Sequence, residues 1–134
     1  MNWKLILQLS LSGLAMGIAT VFFVPSNIEP AFWFAIFLVC AYIIAKQAPA
    51  KPFLHGLFLG LANCVWITAS HILLFDRYIA NHPREAAMMT SMPLPDSPRL
   101  MMAMTGPIVG LVSGLVLGLF GLVARKLLKR SPSA

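Results

Sequence analysis

The hydrophobic segment from Leu100 to Ala124 carries a glycine at every fourth position, and we call this set the glycine stripe: Gly106, Gly110, Gly114 and Gly118. In a water-soluble helix, each of these glycines would cost roughly 1 kcal/mol relative to alanine. In a membrane-spanning helix, the same spacing forms a shallow groove in which a second helix can approach closely. The glycine stripe therefore predicts a membrane helix that makes a close helix–helix contact.

The composition of the chain also indicates a membrane protein. Hydrophobic residues make up 59% of the 134 residues, and charged residues only 10%, whereas soluble domains carry about 25% charged residues. That deficit leaves too little polar surface to cover a globule in water. A chain of this length forms one domain, so we predict a single transmembrane domain over residues 1–134.

Four apolar segments are long enough to cross a bilayer, which takes about 20 helical residues. They cover residues 3–24, 27–45, 53–75 and 100–124, and a more polar outer loop covers 76–99. We predict an all-α, polytopic membrane protein built as a four-transmembrane-helix bundle. Ser26 and Glu29 have the spacing of a capping box at the start of the second span, and Pro107 predicts a kink in the fourth.

The charges alternate between successive connections of the predicted bundle. Seven of the ten basic residues and none of the acids lie at the two termini or between the second and third spans: Lys4, Lys46, Lys51, Arg125, Lys126, Lys129 and Arg130. All four acids lie in the other two connections. By the positive-inside rule, both termini are expected in the cytoplasm. The basic tail is interpreted as a membrane anchor that contacts anionic lipid, and we expect no nucleic-acid binding.

Two other predicted spans carry small residues on one face. Gly13 and Gly17 lie in the first span, and Gly56 and Gly60 lie in the third. The second span lacks such glycines, so we expect it to face lipid. Two interpretations of the small faces stay open, because such faces occur in both settings. Spans one, three and four pack together within one chain, or part of the groove is left for a homo-oligomer or a larger membrane complex.

A small group of polar residues lies inside the predicted spans: Gln8, Asn63, Ser70 and His71. An unpaired amide in the membrane interior is costly, so Asn63 predicts either a hydrogen bond to Gln8 or Ser12 or the lining of a polar path. The second interpretation corresponds to a small channel or transporter lined by the Asn63 face. No Asp, Glu, Lys or Arg lies deep in a span, which argues against an ion-coupled carrier.

The outer loop is rich in methionine and contains weak candidates for a copper(I) site: His82, Glu85, Met88, Met89 and Met92. Thioether ligands suit copper(I), but methionine also serves as flexible apolar filler at a membrane surface. No recognised metal signature, nucleotide-binding loop or nucleophile motif occurs. We therefore predict no cofactor and no catalytic residue, and we favour a non-enzymatic protein whose small faces mediate helix association or an accessory role.

The layout resembles a family of small four-helix bacterial inner-membrane proteins to which no activity is assigned. The resemblance rests on the stretch from Phe53 to Gly60, the methionine-bearing loop to Met104 and the ending Gly106–Arg130. It implies a multi-pass protein of the bacterial inner membrane, and it carries no functional residue with it.

Overall fold

The computed structural model describes residues 1–130 and is all-helical over that range. Its six helices are α1 (Trp3–Phe22), α2 (Glu29–Gln47), α3 (Pro52–Leu73), α4 (Phe75–Asn81), α5 (Pro83–Met89) and α6 (Pro98–Arg130). Four of them, α1, α2, α3 and α6, are long and apolar enough to cross a membrane. The predicted helical spans are confirmed with ends within two residues, except that α6 continues to Arg130. The last four residues of the predicted domain lie outside the described range.

One local prediction at a helix end is wrong. Ser26 does not cap α2, because the helix begins one residue after Ile28 and has no side-chain cap. Ser26 instead lies near Glu85, where its hydroxyl lowers the pKa of that carboxyl. Helix α6 runs through Pro107 as one element from Pro98 to Arg130, and the kink at Pro107 stays a prediction.

The bundle has two distinct ends. At the end that we call the terminal end, the Asn2 backbone N–H donates to Nε2 of His55 at 3.0 Å, so the start of α1 lies beside the start of α3. At the opposite end, the loop end, Asn81 Nδ2 donates to the Val21 carbonyl at 2.7 Å. That bond attaches α4 to the last turn of α1. The outer segment thus forms two short helices that are held against the bundle.

Helix α3 lies between α1 and α6 and packs closely on both. The glycine stripe of α6 faces α3: a methyl group built on Gly114 would lie 2.6 Å from the Leu57 carbonyl oxygen. The glycines of α1 face the other side of α3, where a methyl group on Gly17 would lie 2.8 Å from Ser70 Oγ. Such distances are shorter than normal contacts, so both interfaces require glycine. The groove of the glycine stripe is therefore occupied by α3 of the same chain.

The expectation that α2 lies toward lipid is wrong for the second half of that helix, one face of which is buried in the bundle. Its last half contributes a small buried face to the core: Cys40, Ala41, Ile44 and Ala45. Ala41 and Ala45 are four residues apart, so they provide a small contact surface without glycine. Phe37 of α2 packs edge-on against Phe120 of α6 at a centroid distance of 6.3 Å. Helix α2 is therefore a packing partner of α6 and is not simply a lipid-facing helix.

Candidate ligand-binding cavity

A cavity of about 520 Å³ lies between α2, α3 and α6, and we call it the main cavity. Helices α4 and α5 contribute to its lining at the loop end. Residues Gly60 to His71 of α3 contribute to one wall, a length of about 16 Å along a helix. Small-molecule sites in proteins commonly have volumes of about 300–1,000 Å³, so the main cavity is large enough for a small organic ligand.

The lining is mostly apolar, with polar groups at a few positions. Helix α2 contributes Glu29, Trp33 and Phe37; α3 contributes Gly60, Asn63, Cys64, Ile67, Thr68 and His71; α4, α5 and the following turn contribute Tyr78, Glu85, Met88, Met89 and Met92; and α6 contributes Met102, Thr105, Gly106, Val109 and Ser113. The four methionines provide a flexible apolar surface that can adapt to ligands of different shape.

Asn63 is the most unusual residue of this lining. It is only 3% exposed, and neither Oδ1 nor Nδ2 has a hydrogen-bond partner among the described residues. Its side chain packs against Gly13 of α1, so it lies where the α1–α3 contact meets the main cavity. The expected hydrogen bond to Gln8 or Ser12 is not formed, and the Ser12 hydroxyl donates to the Leu9 carbonyl. Asn63 therefore retains its full hydrogen-bonding capacity.

Three aromatic rings form a stack beside the main cavity at the loop end. The Tyr78 ring lies between the rings of His71 and His82, with centroid distances of 4.1 and 4.3 Å. Nε2 of His71 lies 2.8 Å from Thr20 Oγ1. The Thr20 hydroxyl also lies 3.1 Å from the Gly17 carbonyl oxygen, so it bridges α3 and the backbone of α1. The stack thus connects α1, α3 and α4 and holds Tyr78 in place.

Two carboxylates lie at the loop end of the main cavity. Glu29 Oε1 accepts a hydrogen bond from Trp33 Nε1 at 3.1 Å. Partial burial acts to raise the pKa of Glu85, but the hydrogen bond from Ser26, a backbone N–H and the nearby charges of His82 and Arg84 outweigh it and lower that pKa. Glu85 is therefore ionised at neutral pH.

The negative charges of both carboxylates affect the pKa of Tyr78. Burial, together with the negative charges of Glu85 and Glu29, raises the pKa of Tyr78 to about 12. Each of these effects disfavours the phenolate. Glu29 of α2 and Glu85 of α5 therefore both act electrostatically on the Tyr78 ring.

This arrangement predicts an unusual tyrosine titration. In a Tyr42→Phe background, where Tyr78 is the remaining tyrosine, we expect the phenolate absorbance to appear near pH 12. Glu85→Gln should lower the Tyr78 pKa, because the substitution removes a negative charge and keeps the side-chain shape. The Asp76→Asn variant is the matched control, since that carboxylate is 94% exposed and pairs with Arg99. An equal shift in both variants would contradict the assignment.

Five residues of α3 that share one helical face by their spacing do not share one environment: Gly56, Gly60, Asn63, Ile67 and Ser70. Gly56 packs on α6 and Ser70 packs on Gly17 of α1, while Asn63, Ile67 and Gly60 line the main cavity. Gln8 is exposed and borders a second, smaller cavity of about 350 Å³ between α1 and α2. His71 lines the main cavity.

The candidate copper ligands are only partly brought together. Glu85, Met88, Met89 and Met92 line the main cavity, whereas His82 is buried in the aromatic stack, and its Nδ1 donates to the Tyr78 carbonyl at 2.9 Å. Within residues 1–130, no three His, Cys, Asp or Glu side chains converge as a metal site. Copper binding by the methionines stays a prediction.

Sequence reasoning did not identify the α2 wall of the main cavity. Glu29, Trp33 and Phe37 follow one another at intervals of four, which places them on one face of a helix. That periodicity was available in the sequence, but the absence of glycine suggested a lipid-facing helix. The position of this face became evident only from the tertiary packing.

Comparison with known proteins adds no functional residue to this geometry. No protein-family model matches the chain, and neither a curated protein nor a solved structure is significantly similar to it. Over residues 1–130, the structure is all-helical, with four candidate membrane-spanning helices and a mostly apolar cavity among three of them.

Proposed function

We propose that this chain is a small, non-enzymatic protein of the bacterial inner membrane that binds a mainly apolar molecule in the main cavity. The observation that carries the proposal is the cavity of about 520 Å³ with the buried, unpartnered amide of Asn63 in its wall. Mostly apolar concave sites with a few polar groups are typical of ligand binding. This proposal develops the interpretation of the Asn63 face as part of a small carrier.

The position of the basic residues supports an orientation for this site. The seven basic residues without acidic neighbours belong to the terminal end, so we infer that both termini are cytoplasmic. The loop end, with α4 and α5, then faces the opposite side of the membrane. In this orientation, a ligand enters the main cavity from the outer leaflet or from the space outside the inner membrane.

The packing of the glycine stripe is the reason why ligand binding is favoured over an association function. The groove is occupied by α3 within the chain, and methyl groups built on Gly56 or Gly114 would lie less than 3.0 Å from the facing backbone. The stripe therefore supports internal packing and leaves no free groove of its own for a second copy.

A cavity-filling variant tests the proposal. The probe is diphenylhexatriene, a neutral apolar fluorophore, added to the protein in phosphatidylcholine nanodiscs. Binding is measured as the saturable part of energy transfer from tryptophan to the probe. We expect Val109→Phe to weaken binding about 10-fold or more, because the ring occupies volume that the ligand needs.

Val112→Phe is the matched control for this experiment. Val109 and Val112 lie on α6 and are similarly exposed, at 64% and 57%, but only Val109 lines the main cavity. A second cavity-filling variant, Ser113→Phe, guards against rotation of the new ring towards lipid. Saturable binding that is equal in the wild type and in all three variants, or absent from the wild type, would refute the proposal.

A further inference from the structure

The charge of the main cavity is opposite to that of the whole chain. The chain has a formal net charge of +6, with ten basic and four acidic residues. Yet among the described residues that line the main cavity, the side chains with a formal charge are both acidic, Glu29 and Glu85. No lysine or arginine belongs to the lining. The potential in the cavity is therefore set locally by two carboxylates.

The arginines at the loop end leave these carboxylates available. Arg99 lies 3.8 Å from Asp76 and stacks over the Phe75 ring at 4.6 Å from its centroid, away from the cavity lining. Arg84 precedes Glu85 and is exposed, where solvent weakens its influence. The direct partners of the two carboxylates are neutral donors, Trp33 Nε1 for Glu29 and the Ser26 hydroxyl for Glu85. Neither donor removes the negative charge.

The apolar part of the lining suits a cationic ligand as well. Trp33 and Phe37 form an edge-to-face pair with centroids 6.0 Å apart, and both line the main cavity. Aromatic ring faces attract cations, and the attraction is strongest for tryptophan. Asn63, on the α3 wall, adds an amide that has no partner among the described residues, and its side chain is buried against Gly13 of α1.

We propose that the ligand of the main cavity is a lipophilic cation, with its positive group between Glu29 and Glu85 and its apolar body among Trp33, Phe37 and the methionines. This inference rests on the proposed ligand-binding function and specifies the class of ligand. The carboxylates attract the cation, and the apolar wall accounts for the remaining affinity.

Three probes of similar shape and different charge test the inference. They are the trimethylammonium derivative of diphenylhexatriene, diphenylhexatriene itself and its propionic acid derivative. Each is titrated into the full chain in zwitterionic phosphatidylcholine nanodiscs, with empty nanodiscs as the blank. We expect the cationic probe to bind about 10-fold more tightly than the neutral probe, and the anionic probe to bind most weakly.

Variants that remove charge but keep shape locate the effect. The double variant Glu29→Gln with Glu85→Gln should bring the affinity for the cationic probe to that of the neutral probe. The control Asp76→Asn removes an acid from the same end of the bundle but outside the lining, and it should keep the preference. The preference should also fall with added salt, because exposed charges are screened.

The possible outcomes separate this inference from the function on which it rests. Binding of all three probes with equal affinity would overturn the cationic ligand and leave the apolar binding site in place. A preference for the cation that persists in the double glutamine variant would also overturn the inference. Absence of saturable binding for every probe would refute the binding function itself.

Discussion

Gly60→Ala should destabilise the contact between α3 and α6 by about 3 kcal/mol or more, at the upper end of the cost of overpacking. A methyl group on Gly60 would overlap the backbone of Gly114, including its Cα and N atoms. Backbone atoms in a helix cannot move aside as the end of a flexible side chain can. We expect a large loss of resistance to unfolding in a titration with sodium dodecyl sulfate, followed by tryptophan fluorescence.

Two control variants separate this steric effect from a general response to added volume. Gly121→Ala makes the same substitution in the same interface, but its methyl group would lie 3.0 Å from the nearest atom, the Pro52 carbonyl oxygen, so its effect should be much smaller. Val65→Ile adds one carbon at a position of α3 that is 64% exposed, and it should be neutral. Equal effects of the three variants would contradict the close packing of α3 and α6.

Asn63→Leu should have the opposite effect and stabilise the ligand-free protein. The Asn63 amide is buried and has no partner among the described residues, and a buried unsatisfied polar group costs about 1–3 kcal/mol. Leucine has a similar branched shape, so the packing against Gly13 is largely kept. We expect an increase in stability of about 1–3 kcal/mol in the same unfolding titration.

Ser70→Ala is the control for the removal of a polar group from α3. The Ser70 hydroxyl donates to the Trp66 carbonyl at 2.8 Å, so its polar group is satisfied and its removal should not stabilise the protein. If Asn63→Leu lowers stability, the Asn63 amide has a structural partner and is not held free. If Asn63→Leu increases the stability and Ser70→Ala does not, the result supports the interpretation that the Asn63 amide is not required for the stability of the fold.

The success and failure of the sequence predictions follow from how local each feature is. Each helical span depends on a run of apolar residues, so it can be predicted from its own segment of the sequence. The capping prediction at Ser26 failed because the helix begins later, with Ile28 at the N-cap, while Ser26 lies near the distant residue Glu85. The role of α2 was misjudged for a related reason. Ala41 of its small face is buried in a cluster with Leu59 of α3 and Leu117 of α6, which are distant in the sequence.

Part of the candidate site was predictable from the residue types alone. An amide at Asn63 in the middle of an apolar segment indicates a special environment, whatever the fold. Glu29, Trp33 and Phe37 could have been grouped by their helical spacing. Nothing in the sequence, however, brings that face of α2 to the α3 wall that contains Asn63, because the two belong to different helices whose rotation depends on packing.

The amino-acid sequence is sufficient to predict a set of apolar helices with a stripe of glycines in the last one. Length, hydropathy and spacing are properties of each segment. In a bilayer, such a segment forms a helix because a helix satisfies all of its backbone hydrogen bonds within the segment. The packing of the helices, in contrast, was needed to see that α3 occupies the groove of the glycine stripe and that α2, α3 and α6 line a cavity. Small faces on three helices can pair in several ways, and the pairing is selected by the summed packing of whole surfaces.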